Sequence, residues 1–311
     1  MEDYPTTLAE LERRFTTEEA CRDYLVALRW AEGFICPRCG HDRSWALARG
    51  LFQCSGCDTQ TSVNAGTILE GTRKPLSLWF RAMWHVTSQK NGVSALGLQR
   101  VLGLGSYETA WTWLHKLRRA MVRPGRDRLH GPVEVDETYV GGEQPGKRGR
   151  GAARKSLVLV AAEEDGAHIG RIRLLQVPDG SGESLCGAVS ECVEPGSVVH
   201  TDGWLPYGGL SALGYRHQVT RQSSAPVGED PLPRVHRVAS LLKRWMLGTH
   251  HGAIRPSHLD YYLDEFTFRF NRRTSRSRGK LFYRLAQQMM AVDPLPQSQL
   301  RGGQSDDNTK T

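Results

Sequence analysis

The chain has 311 residues, of which 39% are hydrophobic and 24% are charged, a composition that allows two or three domains with a sizeable core. It contains no run of about 18 apolar residues, which excludes an ordinary transmembrane helix. The net charge of +8 and the isoelectric point near 9.2 favour a polyanionic partner. The acidic start MEDYPTTLAELERRF lacks the apolar stretch of a signal peptide, so we expect a cytoplasmic, nucleoid-associated protein with no membrane partner.

Residues 1–33 predict two short helices, with Thr16 and Thr17 as candidate caps. Two CxxC pairs follow, and 14 residues separate them, since 54 − 39 − 1 = 14. Four thiolates at this spacing are typical of structural zinc, because a closed shell of four cysteines leaves no position open for chemistry. We therefore predict a zinc ribbon over residues 34–66. Its ligands are Cys36, Cys39, Cys54 and Cys57.

Residues 72–123 are rich in helical periodicity. Within them, a helix, a glycine-containing turn at 103–105 and a second helix fit a helix-turn-helix DNA-binding region. The second helix carries Lys116, Arg118 and Arg119, which we predict to contact DNA. The pattern fits a small helical bundle with a solvated basic face equally well.

Beyond a charged linker, the spacing of apolar residues changes from that of helices to that of strands. VEVDETYVGG, SLVLVAAEEDG and IGRIRLLQVPDG predict three strands, a short helix follows, and SVVHTDGW and YRHQVT predict two more strands. Asp136 lies inside the first strand and Asp202 at the end of the fourth. Two such carboxylates on adjacent strands can share Mg²⁺, although each alone fits an ordinary turn residue. Helices are predicted at 234–247 and 257–271, and the polar tail 291–311 is predicted to be disordered.

These segments together resemble the DDE-type insertion-sequence transposases of the ISXO-like group, which carry an N-terminal zinc ribbon. The resemblance rests on CPRCG…CSGC, VEVDETYVGG, VVHTDGWLPYGGL, VHRVASLLKRWMLGTHHGAI and HLDYYLDEFTFRFNRR, and it covers about residues 15 to 290. It implies an α/β catalytic domain of RNase H-like fold, which we bound at residues 130–290. It also implies cleavage and strand transfer at the ends of an insertion sequence, with Mg²⁺ or Mn²⁺ as cofactor and double-stranded DNA as partner. Joining paired ends implies a homo-oligomer on the DNA.

The resemblance also assigns roles to residues. Asp136 and Asp202 match the first two catalytic acids, and the third position, usually Glu, falls on His236. We therefore expect these three side chains to bind the catalytic metal. Lys243, two helical turns beyond His236, matches a basic residue expected to hold a terminal phosphate, and Arg244 follows it. Glu134 and Glu137 are the nearest substitutes for Asp136, and Glu265 is the fallback for the third position.

The glycine-rich segment GEQPGKRGRGAARKS is a second candidate DNA contact, or a solubilising surface loop. Its basic residues are Lys147, Arg148, Arg150, Arg154 and Lys155. Two other functions use parts of the same pattern. A zinc-ribbon and helix-turn-helix regulator would need no acids at strand ends, and an RNase H-like nuclease or resolvase would have less use for two DNA-binding modules.

Overall fold

The computed structural model describes residues 2–123, 125–141, 155–221, 223, 228–252 and 254–301. Within these residues, no helix is both long and apolar enough to cross a membrane. The chain forms two compact units, one from residues 1–125 and 274–311 and the other from residues 126–273.

The first unit consists of helices around a small three-stranded sheet. The sheet has the order β1-β2-β3 and is antiparallel throughout. Its elements are α1 (Leu8–Arg14), α2 (Glu18–Arg29), β1 (Ser44–Leu47), β2 (Leu51–Cys54), β3 (Gln60–Ser62), α3 (Leu76–Ser88), α4 (Ala95–Leu102), α5 (Tyr107–Ala120), α9 (Arg278–Ala291) and α10 (Gln297–Arg301).

Helix α9 returns to this first unit, although sequence reasoning included it in the catalytic domain. It packs on α2 and α3, where Phe282 contacts Tyr24 and Phe80. The unit that contains the larger sheet therefore ends at residue 273, before the predicted boundary at 290. The beginning of the predicted disordered tail is ordered instead, because Leu295 and Leu300 are buried. The rest of the tail, 302–311, lies outside the described residues.

The second unit is built on a mixed five-stranded sheet with the order β6-β5-β4-β7-β8. Strands β4, β5 and β6 are antiparallel neighbours, whereas β7 runs parallel to β4, and β8 runs parallel to β7. The elements are β4 (Pro132–Val140), β5 (Ser156–Asp165), β6 (His168–Val177), α6 (Gly182–Cys192), β7 (Val198–Thr201), β8 (Arg216–Val219), α7 (Pro233–His250) and α8 (Leu259–Phe270). The five predicted strands and the helix between the third and fourth are thus present in the predicted order.

Helices cover both faces of this sheet, so alternate residues of its central strands enter two different cores. Val133 and Val135 of β4 pack in the core that includes residues of α6. Val158 and Val160 of β5 pack on the other face, in the core that includes residues of α7 and α8. Because side chains alternate along a strand, Glu134 and Asp136 share the face that α7 covers, and Glu137 lies on the opposite face.

Candidate active site

Asp136 lies on β4, and Asp202 directly follows β7, the strand that runs parallel to β4. The pairing of β4 with β7 sets Glu134 opposite His200. The offset is 200 − 134 = 66 residues, and Asp136 and Asp202 have the same offset, since 202 − 136 = 66. Asp202 follows the last residue of β7, where its Oδ1 accepts a hydrogen bond from the Trp204 amide at 2.9 Å. Asp202 is therefore a turn residue and also a candidate metal ligand.

His236 contacts Asp136 from the first turns of α7. Its Nε2 lies 3.2 Å from Asp136 Oδ2, and its Nδ1 lies 2.6 Å from Asp230 Oδ1. The hydrogen bond with Asp136 raises the pKa of His236 to about 9, burial opposes this shift, and Asp230 adds to it. The imidazole is thus held between two carboxylates, with one ring nitrogen directed at each.

Asp230 is a residue of this site that sequence reasoning missed. It precedes α7, and its Oδ1 also accepts a hydrogen bond from the Leu232 amide at 3.0 Å. A carboxylate on one nitrogen of a metal-binding histidine commonly fixes the tautomer and directs the other nitrogen at the metal. The signal in the sequence was an acid six residues before His236.

Glu134 holds the beginning of α7 and is not a substitute for Asp136. Its side chain is 1% exposed and pairs with Arg234, whose Nη1 lies 2.6 Å from Glu134 Oε1. Its other oxygen accepts hydrogen bonds from the Arg234 amide at 2.7 Å and the Val235 amide at 3.0 Å. A carboxylate at this end of a helix satisfies amides that have no partner within the helix. Both oxygens of Glu134 are therefore engaged in fixing the helix that carries His236.

Glu137 lies on the opposite face of the sheet and adds a third carboxylate to the neighbourhood. Burial raises its pKa to about 7, and repulsion by Asp136 and by Asp202 contributes, while a hydrogen bond from Tyr207 acts against the shift. The Tyr207 hydroxyl donates that bond to Glu137 Oε2 at 3.1 Å. Asp136 and Asp202 are thus both close enough to Glu137 to disfavour its charged form.

Lys243 follows His236 along α7 and lines a cavity of about 210 Å³. Lys155, at the beginning of β5, lines the same cavity, together with Tyr139 and Met246. Burial and repulsion by Lys155 lower the pKa of Lys243, and attraction to Asp136 opposes both. Two cations therefore converge beside Asp136, where an anionic group can be held.

Two other predicted site residues lie on α7 and α8. Arg244 is exposed on α7, whereas Glu265 on α8 is 1% exposed and pairs with Arg269 of the same helix at 2.7 Å.

The basic residues predicted to contact DNA from α5 differ in exposure. Arg119 is exposed, but Arg118 is 2% exposed, and Lys116 donates a hydrogen bond to the Ile68 carbonyl at 3.1 Å. The predicted DNA contact at Arg118 is corrected, because a buried guanidinium cannot reach a phosphate. Four basic residues lie outside the described residues: Lys147, Arg148, Arg150 and Arg154.

The four cysteines of the ribbon form a cluster that fits zinc. Their sulfur atoms all lie within 4.8 Å of one another, and Cys36 to Cys57 and Cys39 to Cys54 measure 3.7 and 3.6 Å. Zn–S bonds of ~2.3 Å in a tetrahedron separate the sulfur atoms by about 3.8 Å, so the cluster has the size of a zinc site with four thiolate ligands. In the described part of the chain, no other group of three or more His, Cys, Asp or Glu residues is this tight.

Two regions of the chain match known protein families. Residues 128–271 match the ISXO2-like transposase domain, and residues 16–60 match the transposase zinc-ribbon domain. A relative described as an uncharacterized protein in transposable element ISH50, from Halobacterium salinarum, is 28% identical over 303 residues. That alignment covers 86% of this chain and 95% of the relative. The resemblance drawn from the sequence motifs is thereby confirmed.

Proposed function

Because this chain belongs to the ISXO-like insertion-sequence transposases with an N-terminal zinc ribbon, we propose that it binds the ends of an insertion sequence and catalyses metal-dependent DNA cleavage and strand transfer. In the first step water attacks the phosphodiester at the end of the element and frees a 3′-hydroxyl. In the second, that hydroxyl attacks target DNA and displaces a new 3′-oxygen. The observation that carries the proposal is the position of Asp136 on β4 beside the parallel strand β7, which Asp202 directly follows, with His236 against Asp136.

The topology supports an RNase H-like fold for the second unit. Three antiparallel strands are followed by a helix and two parallel strands, the first strand occupies the centre, and helices cover both faces. In the first unit, α4 and α5 are separated by residues 103–106, with Gly103 in the left-handed conformation at φ 62°, and they support a helix-turn-helix assignment. Connections of this length join the two helices of such motifs.

One pair of the proposed ligands has the spacing of metal ligands, whereas Asp136, Asp202 and His236 together are not as tightly clustered in the described structure as the four cysteines are. Adjacent ligands of an octahedral ion with bonds of ~2.1 Å lie about 3 Å apart, and Asp136 Oδ2 and His236 Nε2 are 3.2 Å apart. Asp136, Asp202 and His236 would hold Mg²⁺ or Mn²⁺. When bound, the metal supplies charge that stabilises the attacking and leaving oxygens of an in-line displacement.

The remaining side chains position this set and the DNA. Asp230 would keep one proton of His236 on Nδ1, so that Nε2, once its own proton is displaced, would offer its lone pair to the metal. Glu134 fixes the first turn of the helix from which His236 projects. Lys243 and Lys155 hold a phosphate of the terminal nucleotide at the cavity that they both line. Joining two element ends in one event would require at least two copies of the chain on the DNA.

The proposal is tested by incubating the purified chain with end-labelled duplexes of the DNA that flanks its coding sequence, in Mg²⁺ or Mn²⁺. A transposase cuts at the element boundary and joins the freed 3′ end to target DNA. Cutting without joining would indicate a nuclease or resolvase. Binding without any cutting in either metal would indicate a regulator and contradict the proposal.

A further inference from the structure

Four basic side chains line one cleft of the first unit, at the junction of the zinc ribbon with α2 and α3. The cleft has a volume of about 410 Å³. Arg22 comes from α2, Arg49 from the turn between β1 and β2, and Arg73 and Lys74 from the segment that leads into α3. Three separate parts of the chain thus bring positive charge to one concave surface, which focuses the electrostatic potential there.

The positive charge of this cleft is not neutralised by the part of the chain that the structure describes. None of the four side chains forms an ion pair or a hydrogen bond with a described residue. The acid that lines the cleft is Glu18, and both of its oxygens are engaged at the beginning of α3. They accept hydrogen bonds from the Leu76 amide at 2.8 Å and the Ser77 amide at 3.0 Å. Glu18 therefore anchors the helix and forms no ion pair with the four cations, so within the described residues the cleft keeps an excess of positive charge that attracts an anion.

The walls of the cleft are held in place by local contacts. Thr72 accepts a hydrogen bond from Trp79 Nε1 at 2.7 Å, which fixes the segment that carries Arg73. Arg22 lies so close to Gly50 that a Cβ atom at that position would collide with its guanidinium. Arg49, next to Gly50, adopts a φ of 70°, an unusual conformation for a residue with a Cβ. Such strain is commonly found where a side chain is directed to a functional position.

We propose that this cleft binds the phosphate backbone of double-stranded DNA, with Arg22, Arg49, Arg73 and Lys74 as the contacts. This inference rests on the proposed function and adds a binding site distinct from α5 and from the basic segment 147–155. The cleft is lined by Ser62, Asn64 and Thr72 besides the cations, and such polar groups also donate to phosphate oxygens. Contacts to phosphates alone carry no sequence information, so the site strengthens binding to end sequences and unrelated duplexes alike.

The test compares two double variants of the full-length zinc-loaded chain that lose the same charge. Arg49→Gln/Arg73→Gln removes two exposed cations of the cleft, and Arg13→Gln/Lys90→Gln removes two exposed cations elsewhere in the same unit. Affinity for a duplex with the element end and for an unrelated duplex is measured from low to moderate salt. Zinc content and the midpoint of thermal unfolding show that each variant is folded.

We expect the cleft variant to bind both duplexes at least about tenfold more weakly. The slope of log K against log salt should become less negative by about 2, because each lost phosphate contact removes ~0.9 from its magnitude. The control variant should stay close to wild type. Equal losses of DNA affinity in the two variants would overturn the proposal that the cleft binds DNA, while leaving the transposase proposal in place. If the wild-type chain bound neither duplex, the proposed function itself would fail.

Discussion

At the scale of single residues, the site depends on how His236 is held. Asp136 reaches it from β4 and Asp230 from the segment before α7, so that strand and segment together fix the ring. In the absence of metal, the hydrogen bond with Asp136 raises the pKa of His236 to about 9, and the ring is therefore protonated at neutral pH. A metal that binds at Nε2 must displace that proton, and the contact with Asp230 keeps the other proton on Nδ1.

Replacing His236 shows whether this residue binds the metal or has only a structural role. We expect His236→Ala to lose more than about 100-fold in cleavage rate, because a metal ligand is removed. His236→Glu should retain part of the activity and shift its preference from Mn²⁺ toward Mg²⁺, because a carboxylate is a harder ligand than an imidazole. Cleavage rates of the three proteins in both metals provide the measurement. A near-normal rate for His236→Ala would leave the residue with a structural role only.

We predict that Asp230 acts by positioning His236. The affinity for metal measures this effect without an assay of catalysis. We expect Asp230→Ala to weaken Mn²⁺ binding by about 10- to 100-fold, the usual effect of removing a carboxylate behind a metal-binding histidine. Calorimetric titration with Mn²⁺ measures the change, and the exposed acid Glu183 supplies the control variant Glu183→Gln. Equal Mn²⁺ affinity in both variants and in wild type would exclude the positioning role.

At the scale of elements, α7 is tied to the sheet by Arg234, which meets two acids of different burial. Glu134 is 1% exposed and lies 2.6 Å from Arg234 Nη1, whereas Glu164 is 26% exposed and lies 3.4 Å from it. Glu134 also accepts hydrogen bonds from the first amides of the helix. The buried acid therefore carries the attachment of α7, and the outer acid contributes little.

This difference predicts the stability of two matched variants. Glu134→Ala should lower the free energy of unfolding by ~3 kcal/mol, because it removes the buried partner of Arg234 and also the acceptor of the Arg234 and Val235 amides at the beginning of α7. Glu164→Ala should cost less than about 1 kcal/mol, as for other half-exposed ion pairs. Urea denaturation followed by circular dichroism measures both. Similar losses in the two variants would show that Glu134 is not the anchor of α7.

The ribbon is the element whose folding we predict to depend on metal. We expect Cys36→Ser and Cys57→Ser to lose zinc and to unfold the ribbon, because a structural zinc site contributes its binding free energy to folding. Cys186→Ser is the matched control, since Cys186 lies on α6 and is not a member of the sulfur cluster. Metal analysis should give about one zinc per chain for wild type and for this control. Full zinc content in either ribbon variant would contradict the four-cysteine site.

At the scale of the whole molecule, local patterns predicted the elements, whereas long-range packing did not follow from them. Cysteine spacing predicted the ribbon, and alternating apolar residues predicted the strands. Helix α9 has an ordinary amphipathic pattern that cannot indicate which core it joins, so its return to the first unit was missed. The burial of Arg118 and the position of Asp230 were missed for the same reason, since each depends on partners distant in sequence or on loop conformation.

The most direct test of the central claim is cleavage of labelled element-end DNA by Asp136→Asn and Asp202→Asn, with DNA binding measured on the same samples. Each substitution removes one metal-binding charge and keeps the size of the side chain, while the phosphate contacts of Lys and Arg residues are untouched. The account predicts that both variants bind DNA within about twofold of wild type and cut it at least about 100-fold more slowly in Mg²⁺. Cutting at the wild-type rate by either variant would show that these two strands do not carry the active site.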